Sequence, residues 1–368
     1  TRSFLLKACF SLRKRSETRV GPNYRKVIRK MREFNVAIVG ITGAVGEAML
    51  EILEARGFPV RDLFLLASDK SVGKRYQYKS KNFSVEALSK FDFKKAQIAL
   101  FSAGSSVSRE FAPKAASAGC VVIDNTSLFR REEHIPLIIP EVNPTQLVRF
   151  KKSNIIANPN CSTIGMLVAL EPIRSAVGIR RINVATYQAV SGSGKKGIEE
   201  LAGQTARLLN AQPIESGVYP QQIAFNALPA IGDLEENGYT NEEMKMVWET
   251  QKIFEDDSIL VNPTCVRIPV FYGHGEAIHV ETRDPITAEK ALDLLSDAPG
   301  VQVIDQRDPF DFPSAVRDSA GKDPVFVGRV REDISSERGL SMWVVSDNVR
   351  KGAALNSVQI AELLKDHL

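Results

Sequence analysis

Short, nearly continuous apolar runs recur through the first half of the chain and alternate with segments that have helical spacing. The apolar runs cover residues 36–39, 63–67, 98–101, 121–123 and 138–139. Because these runs are not interrupted by polar residues, they indicate strands that are covered on both faces. Residues 43–56 and 109–118 show apolar positions at helical spacing. This alternation predicts a doubly wound parallel sheet with helical crossovers.

The second half of the chain has a different pattern. Strand-like runs lie at residues 182–187, 265–270, 277–281 and 342–345, and helical segments lie at residues 196–210, 241–254 and 287–297. This mixture predicts an α+β domain with a mixed or antiparallel sheet. We expect a basic extension at residues 1–33, a first domain at residues 34–160 and a second domain at residues 161–349. A C-terminal helix within residues 350–368 could return to the first domain.

Positive charge is concentrated at the start of the chain. Residues 1–33 hold 11 of the 48 Lys and Arg residues and only two acids, which leaves 37 basic against 42 acidic residues elsewhere. Residues 34–368 therefore have no excess positive charge with which to bind a phosphate backbone, so we expect no nucleic-acid partner. The sequence contains no apolar run of the roughly 18 residues that a transmembrane helix needs, so we expect no membrane partner.

The basic extension allows two interpretations. It is Arg-rich and poor in acids, as in an organellar transit peptide (a plastid one, for example), although it contains few serines. Alternatively, Met31 is the natural start, because the first predicted strand follows within a few residues. The second interpretation is favoured, and with it a cytoplasmic protein whose extension is disordered.

The four cysteines lie far apart, at positions 9, 120, 161 and 265, and include no Cys-x-x-Cys pair. This spacing argues against a disulfide framework and against a structural zinc site, so we expect no metal. It fits a reducing compartment and leaves room for a single reactive thiol.

A glycine-rich turn follows the first predicted strand. Gly40, Gly43 and Gly46 lie between that strand and its helix. Glycines there permit a tight turn and let a pyrophosphate approach the helix N-terminus. Their spacing departs from the standard G-x-G-x-x-G, so an ordinary glycine-bearing turn is the alternative. The favoured interpretation is a Rossmann-like domain that binds a dinucleotide.

The end of the second predicted strand bears on the type of dinucleotide. NAD enzymes usually place an acid there for the ribose 2′-hydroxyl, whereas NADP enzymes place groups that accommodate a 2′-phosphate. The residues that suit a phosphate are Ser68, Lys70, Ser71 and Lys74. Asp69 suits the hydroxyl instead. NADP is favoured, and a solvated polar loop is the alternative.

Cys161 lies where a strand ends and a helix begins. Asn160 helps to break the strand, and Ser162 or Thr163 can help to cap the apolar helical run that follows. The positive end of a helix dipole stabilises a thiolate and lowers the pKa of the thiol, which favours attack on an acyl carbon. Taken alone, the same pattern also fits a small buried cysteine packed between strand and helix.

Acyl chemistry at a thiol also needs a group that moves protons, and the chain has four histidines. His274 lies in a glycine-flanked turn after an apolar strand, a place from which side chains commonly reach a site. His279 lies inside the next predicted strand, His134 in a polar loop and His367 at the C-terminus. His274 is therefore the candidate, although a histidine in such a turn is more often a surface residue.

Eight separated segments carry a resemblance to a known family. They are residues 40–46, 101–106, 124–130, 140–143, 158–163, 242–245, 267–269 and 350–353. In this order they closely resemble the aspartate-β-semialdehyde dehydrogenase family, from about Phe34 to the C-terminus. Agreement among so many motifs is far more specific than any one of them.

The resemblance implies a role for each matching residue. Cys161 would be the acyl-accepting nucleophile, His274 the general acid/base, and Gln188 the group that orients the acyl intermediate. The substrate-binding residues would be Arg267 for the α-carboxylate, Glu242 for the ammonium, and Arg130, Lys245 and Asn160 for the phosphate. The cofactor-binding residues would be Gly40, Thr42, Gly43, Ala44, Val45, Gly46, Ser68, Lys70, Ser71, Ser102, Gly104, Gln188, Ser191, Gly192 and Asn348. Without the resemblance, Glu242 and Lys245 would suggest a surface ion pair.

The resemblance also implies a reaction. It is the reduction of L-aspartyl 4-phosphate by NADPH to L-aspartate 4-semialdehyde plus phosphate, through a thioester at Cys161. In the family this step feeds the synthesis of lysine (through diaminopimelate), methionine, threonine and isoleucine, and the enzymes are homodimers or homotetramers.

Three alternatives stay open. The first is N-acetyl-γ-glutamyl-phosphate reductase, whose acylated substrate carries no ammonium group and needs no partner for one. A glyceraldehyde-phosphate dehydrogenase is a weaker option, because it shares the thioester chemistry but not these motifs. The third is a catalytically inactive paralogue that acts as a binding partner.

Overall fold

Buried strands alternate with helices through the first half of the chain, as the apolar pattern requires. The computed structural model describes residues 32–368. The predictions of a transit peptide or a disordered upstream extension therefore fall almost wholly outside the described residues. Residues 33–368 form one compact unit.

Seven strands form the first sheet, and two helices lie between them in sequence. The elements are β1 (Phe34–Val39), α1 (Ala44–Ala55), β2 (Val60–Ala67), β3 (Arg75–Tyr78), β4 (Lys81–Ala87), β5 (Ile98–Phe101), α2 (Ser105–Ser117), β6 (Val121–Asp124) and β7 (Ile155–Ala157). The strand order is β3-β4-β2-β1-β5-β6-β7, and every neighbouring pair is parallel except β3 with β4. The predicted doubly wound parallel sheet is confirmed.

The strand order reverses at β1, which pairs with β2 on one side and with β5 on the other. Doubly wound sheets bind ligands outside the carboxyl ends of their strands at such a reversal. Val39 and Phe101 are paired at the ends of β1 and β5. The turn at Gly40 therefore lies against the turn at Ser102, and the crevice at the carboxyl ends of β1 and β5 opens there.

The first sheet differs from the sequence prediction in two respects. Residues 138–139 form no strand, because the backbone N–H of Ile139 donates to the Asn143 side chain (2.8 Å) and only Leu137 forms an isolated bridge, to Ala157. A short apolar run alone does not separate a buried turn from a buried strand. In addition, β3 and β4 form a largely polar hairpin at the edge, and β7 has only three residues. None of these three gives a long apolar run.

The second half of the chain forms a six-stranded mixed sheet with helices. The elements are α3 (Cys161–Val177), β8 (Ile179–Gln188), α4 (Lys195–Leu209), α5 (Asn241–Phe254), β9 (Leu260–Arg267), β10 (His274–Thr282), α6 (Ala288–Ser296), β11 (Val301–Val303), β12 (Val325–Glu332), β13 (Gly339–Ser346) and α7 (Leu355–Leu364). The order is β11-β12-β13-β10-β8-β9, with parallel pairs only at the two edges. The predicted mixed sheet is confirmed.

Helix α3 packs between the two sheets. Most of its side chains are buried, and they share one apolar cluster with Val39 and Phe101 of the first sheet and with Ile278 and Val344 of the second. Close packing on both sides leaves the helix little freedom to shift. The first residue of α3 is Cys161, so both sheets fix the position of this residue.

Two predicted elements of the second half have shifted limits. The strand predicted at residues 265–270 is observed as β9, Leu260–Arg267, and Pro263 within it is tolerated because β9 is an edge strand. His274 was expected in a turn, but it is the first residue of β10, where it is paired with Ser346 of β13. The prediction that His274 lies in a turn is therefore wrong.

The C-terminal segment packs onto the first half of the chain. Helix α7 contacts α1, and Lys351, which is almost fully buried, donates to Glu141 (2.6 Å) and to Asn356 (3.0 Å). Asn356 in turn donates to the Asn158 side chain at 2.7 Å. This chain of polar contacts ties the end of the protein to the loop that leads to Cys161.

The domain boundaries placed at residues 160 and 349 stay predictions, although the last strand of the first sheet along the chain ends at Ala157 and the first strand of the second sheet begins at Ile179. Among the helices within residues 32–368, none combines the length and apolar character needed to cross a bilayer.

Candidate active site

Asn160 forms the N-cap of α3 and so holds Cys161 at the start of the helix. Its side-chain oxygen accepts the backbone N–H groups of Ser162 (3.0 Å) and Thr163 (3.4 Å). The sequence predicted that Ser162 or Thr163 would cap the helix, and this is wrong. Their hydroxyls make no hydrogen bond with the described residues. An asparagine is as good an N-cap as serine, and Asn160 stands directly before the first helical residue, two positions ahead of Ser162.

Cys161 lies on the wall of a cavity of about 380 Å³ that is formed by both halves of the chain. All five predicted substrate-binding residues line the same cavity: Arg130, Asn160, Glu242, Lys245 and Arg267. So do Gln188 and six further predicted cofactor-binding residues: Val45, Ser102, Gly104, Ser191, Gly192 and Asn348. The fold therefore brings together residues that lie more than 300 positions apart in the sequence.

Glu242 is a buried carboxylate in this cavity. It accepts hydrogen bonds from Lys245 (2.9 Å), from the Asn160 side chain (2.8 Å) and more weakly from Gln188 (3.4 Å). Burial acts to raise its pKa, but Lys245, Asn160 and Arg267 outweigh burial and bring the pKa to about 2. Glu242 is thus ionised at neutral pH, and the pair with Lys245 is not the surface ion pair that the spacing alone would suggest.

Two buried arginines face the cavity from different elements. Arg267 ends β9 and donates to the backbone oxygen of Ala189 at 2.7 Å. Arg130 donates to the backbone oxygen of Asn125 (2.8 Å) and to Glu249 (3.0 Å). Each guanidinium keeps a buried Nε without a hydrogen-bond partner among the described residues. Guanidinium groups placed in this way suit carboxylate or phosphate ligands.

The thiol of Cys161 is protonated at neutral pH. Burial raises the pKa of Cys161 to about 12, and the Glu242 carboxylate acts in the same direction. Arg267, Arg130 and the backbone N–H of Ser162 act to lower it. The sequence led us to expect a lowered pKa, but the net shift is upward, because removal of the thiolate from water costs more than the two arginines and the Ser162 N–H contribute.

His274 is not one of the residues that line the cavity, but it lies directly beneath Gly192, which is. A Cβ added at Gly192 would lie 3.7 Å from His274 Nε2 and 2.9 Å from Arg267 Nη1, so the ring lies next to the cavity wall. Burial and Arg267 lower the pKa of His274 to about 3, so the ring is neutral. Its Nδ1 accepts the backbone N–H of Ala189 at 3.0 Å. The single ring proton is therefore on Nε2, which has no partner among the described residues.

Two glycines of the first turn are required by close backbone approach. Gly40 has a φ of +91°, and a Cβ there would lie 2.9 Å from the Ser102 backbone. A Cβ at Gly46 would lie 2.8 Å from Ile41 Cα and would collide with the Gly40 carbonyl oxygen. The turn thus leaves its backbone bare at the start of α1, which is the arrangement that pyrophosphate groups use.

A second cavity of about 460 Å³ adjoins this turn. Its wall includes Gly40, Thr42, Gly43, Ser68 and Ser102 from the predicted cofactor-binding set, together with Asp69 and Ser89. Ser102 lines both cavities. Four predicted residues line neither cavity: Ala44, Gly46, Lys70 and Ser71. Of these, Gly46 packs against Gly40.

The sequence analysis missed several residues that shape the site. Glu249 bonds both Arg130 and the backbone of Asn160, and the spacing of seven residues from Glu242 on α5 could have indicated it. Gly352 packs against Cys161, so a Cβ there would lie 2.7 Å from Cys161 Cβ. Residues 32–368 contain no group of three or more His, Cys, Asp or Glu side chains placed to hold a metal ion.

Two family models match the chain over most of its length. Residues 35–150 match the semialdehyde dehydrogenase NAD binding domain, and residues 170–351 match the semialdehyde dehydrogenase dimerisation domain. The chain is also 62% identical over 333 residues to aspartate-semialdehyde dehydrogenase 2 of Vibrio cholerae, which covers 90% of this chain and 98% of that protein.

Solved structures agree with these matches. The crystal structure of aspartate semialdehyde dehydrogenase II from Vibrio cholerae complexed with ASA is similar to this chain with a TM-score of 0.89, 62% identity, and coverage of 90% and 98% of the two chains. The structure of aspartate semialdehyde dehydrogenase with NADP from Candida albicans is similar with a TM-score of 0.71, 25% identity, and coverage of 92% and 100%.

Alkylation of Cys161 by iodoacetamide should follow the raised pKa of the thiol. We expect the rate constant to rise without a plateau from about pH 7 to about pH 10, because a thiol with a pKa of about 12 stays mostly protonated over that range. Mass spectrometry of the alkylated protein, with Cys161→Ser as the control, identifies the modified residue. A plateau near neutral pH would show that the helix end outweighs burial and would contradict this assignment.

Proposed function

The chain belongs to the aspartate-semialdehyde dehydrogenase family of oxidoreductases, and on this premise we propose how its residues carry out the reaction. The proposed reaction is the reduction of L-aspartyl 4-phosphate by NADPH to L-aspartate 4-semialdehyde and phosphate. The observation that supports it is one cavity in which a cysteine faces an ionised carboxylate and two arginines.

The charges in the cavity match those of an aspartyl substrate. In the proposal, the Arg267 guanidinium pairs with the α-carboxylate, and Glu242 pairs with the ammonium group. Arg130, Lys245 and the Asn160 side chain bind the phosphate. Lys245 already donates to Glu242 at 2.9 Å, so it links the ammonium partner to the phosphate partners. Bidentate guanidinium pairs of this kind fix the orientation of the substrate as well as its affinity.

Acyl transfer to Cys161 is the first chemical step of the proposal. A bond forms between the sulfur and the acyl carbon, the bond from that carbon to the phosphate oxygen breaks, and a thioester remains. Because the thiol starts protonated and His274 is neutral with its proton on Nε2, the thiol proton ends on the departing phosphate. Arg130 and Lys245 neutralise the charge of that leaving group.

The remaining residues act on the acyl group. We propose that His274 Nε2–H donates to the acyl oxygen when charge develops there, and that Gln188 orients the thioester. The nicotinamide, when bound, supplies the hydride that takes the thioester to the aldehyde level. Gly352, which packs against Cys161, holds the sulfur at a fixed distance from these groups.

NADPH is the proposed cofactor, and the bare glycine turn at Gly40 and Gly46 fits its pyrophosphate. Ser68 lies on the adjoining cavity and can serve a 2′-phosphate, whereas Asp69 on the same wall favours a 2′-hydroxyl. The structure of the Candida albicans enzyme with NADP supports the choice of NADP. The product would feed amino-acid biosynthesis, as in the family.

A homodimer is the proposed assembly, and the match to a dimerisation domain over residues 170–351 supports it. One face of the second sheet leaves Tyr187 exposed, and a cavity of about 420 Å³ lies beside it between Trp343, Phe310 and Phe312. Apolar groups exposed together in this way mark an association surface. A homotetramer would use this surface and a second one.

Sedimentation measurements test the dimer and its surface together. We expect the wild type to sediment with at least twice the mass of one chain, and Tyr187→Glu to dissociate at concentrations at which the wild type does not. Leu209→Glu, on α4 and 75% exposed, is the matched control and should leave the assembly intact. A monomeric wild type, or dissociation by the control alone, would rule out the proposed surface.

The main rival is N-acetyl-γ-glutamyl-phosphate reductase. An acylated nitrogen is neutral, so it would not pair with the ionised Glu242 carboxylate as the ammonium group of an aspartyl substrate would. The rival of an inactive paralogue is disfavoured by the complete set of residues around Cys161. The cytoplasmic location stays a prediction, as does the organellar alternative, which depends on residues 1–33.

A phosphate-dependent assay tests the proposed function. With L-aspartate-β-semialdehyde, NADP⁺ and phosphate, the purified protein should generate reduced nicotinamide, and NAD⁺ should be a poorer substrate. Cys161→Ala should fall below about one thousandth of the wild-type rate, because the nucleophile is lost. Turnover of N-acetylglutamate semialdehyde but not of aspartate semialdehyde would show instead that the assigned roles of Glu242 and Arg267 are wrong.

A further inference from the structure

Helix α5 directs three charged side chains toward the nucleophile. Glu242, Lys245 and Glu249 follow one another at spacings of three and four residues, so they lie on one face of the helix. Glu242 and Lys245 belong to the proposed substrate-binding set. Glu249 does not line the cavity that contains Cys161, and it is only 3% exposed.

The two carboxylate oxygens of Glu249 have different partners. One accepts from Arg130 Nη1 at 3.0 Å, and the other accepts the backbone N–H of Asn160 at 2.6 Å. Arg130 is the proposed partner of the phosphate, and Asn160 both caps α3 and precedes Cys161. A single side chain therefore joins the phosphate-binding group to the backbone that carries the nucleophile.

Only a carboxylate can hold this arrangement. Both partners are donors, so both side-chain atoms that face them must be acceptors, and a glutamine would offer one acceptor and one donor. Charge-assisted hydrogen bonds of this type are about twice as strong as neutral ones. Because the bonds are buried, either donor left without its acceptor would pull away from its present position to find another.

We infer that Glu249 is a positioning residue that fixes the Arg130 guanidinium at a set distance from Cys161, so that phosphate is bound next to the sulfur. This inference rests on the proposed function for the identity of the leaving group. Glu249 touches no reacting atom and acts on phosphate through Arg130, while its bond to the Asn160 backbone anchors it beside Cys161. Loss of the carboxylate weakens phosphate binding while the binding of the dinucleotide is unchanged.

Glu249→Gln tests the inference by two measurements. The dissociation constant of inorganic phosphate, measured by calorimetry, and the KM for phosphate in the oxidation of aspartate semialdehyde should both rise by about tenfold or more, which corresponds to one charge-assisted bond. The KM for NADP⁺ should stay within about twofold of wild type. If the glutamine variant does not fold, Glu249→Asp is measured in its place. The aspartate side chain is one methylene shorter, so its carboxylate cannot reach both partners.

Glu243→Gln is the matched control. Glu243 lies on the same helix, is also buried, and likewise accepts two hydrogen bonds, here from the backbone N–H groups of Thr240 (2.7 Å) and Cys265 (2.9 Å). It does not contact Arg130. We expect this variant to lower the melting temperature as Glu249→Gln does, but to leave both phosphate constants unchanged.

A double variant shows whether the effect passes through Arg130. In an Arg130→Gln background, the addition of Glu249→Gln should change phosphate affinity by less than about twofold. A full tenfold loss in that background, or unchanged phosphate constants in Glu249→Gln alone, would overturn the inference. If wild type binds phosphate but does not oxidise aspartate semialdehyde, the proposed function fails, and the calorimetric comparison still decides the role of Glu249.

Discussion

The site depends above all on the hydrogen bonds made by Asn160. Its side-chain oxygen holds the first turn of α3, its side-chain nitrogen donates to Glu242, and its backbone N–H donates to Glu249. One residue thus connects the loop after the first sheet, the helix between the sheets, and the helix that carries the acidic groups. Since each of these contacts is buried, none can be broken without leaving a polar group unpaired. The position of Cys161 follows from this junction.

Opposite charges are paired around the cavity, and these pairs govern its chemistry. Glu242 is kept ionised by Lys245, Asn160 and Arg267, while Arg130 is held by Glu249. In these surroundings the thiol of Cys161 is costly to ionise, and the imidazole of His274 is costly to protonate. Both groups are therefore neutral before substrate binds. In the proposed reduction, the phosphate group bound by Arg130 receives the thiol proton as the acyl group passes to the sulfur.

Much of the fold could be predicted, because buried strands appear in the sequence as continuous apolar runs and helices appear as apolar residues repeated every three to four positions. The cysteine at the start of α3 was also predictable, since Asn160 and the following apolar residues mark a helix start. The β3–β4 hairpin was not, because its residues are mostly polar, and residues 138–139 were assigned to a strand although Asn143 turns the backbone there. The raised pKa of Cys161 and the position of His274 beneath Gly192 depend on residues distant in sequence. No local pattern contains that information.

Mass spectrometry of the trapped intermediate shows whether Cys161 carries the acyl group. The protein would be mixed with L-aspartate-β-semialdehyde and NADP⁺ in the absence of phosphate, quenched in acid and digested. We expect one β-aspartyl group on the peptide that contains Cys161, and we expect it to disappear when phosphate is added before the quench. An unmodified Cys161 in protein that still reduces NADP⁺, or an acyl group on another residue, would show that Cys161 is not the acyl carrier.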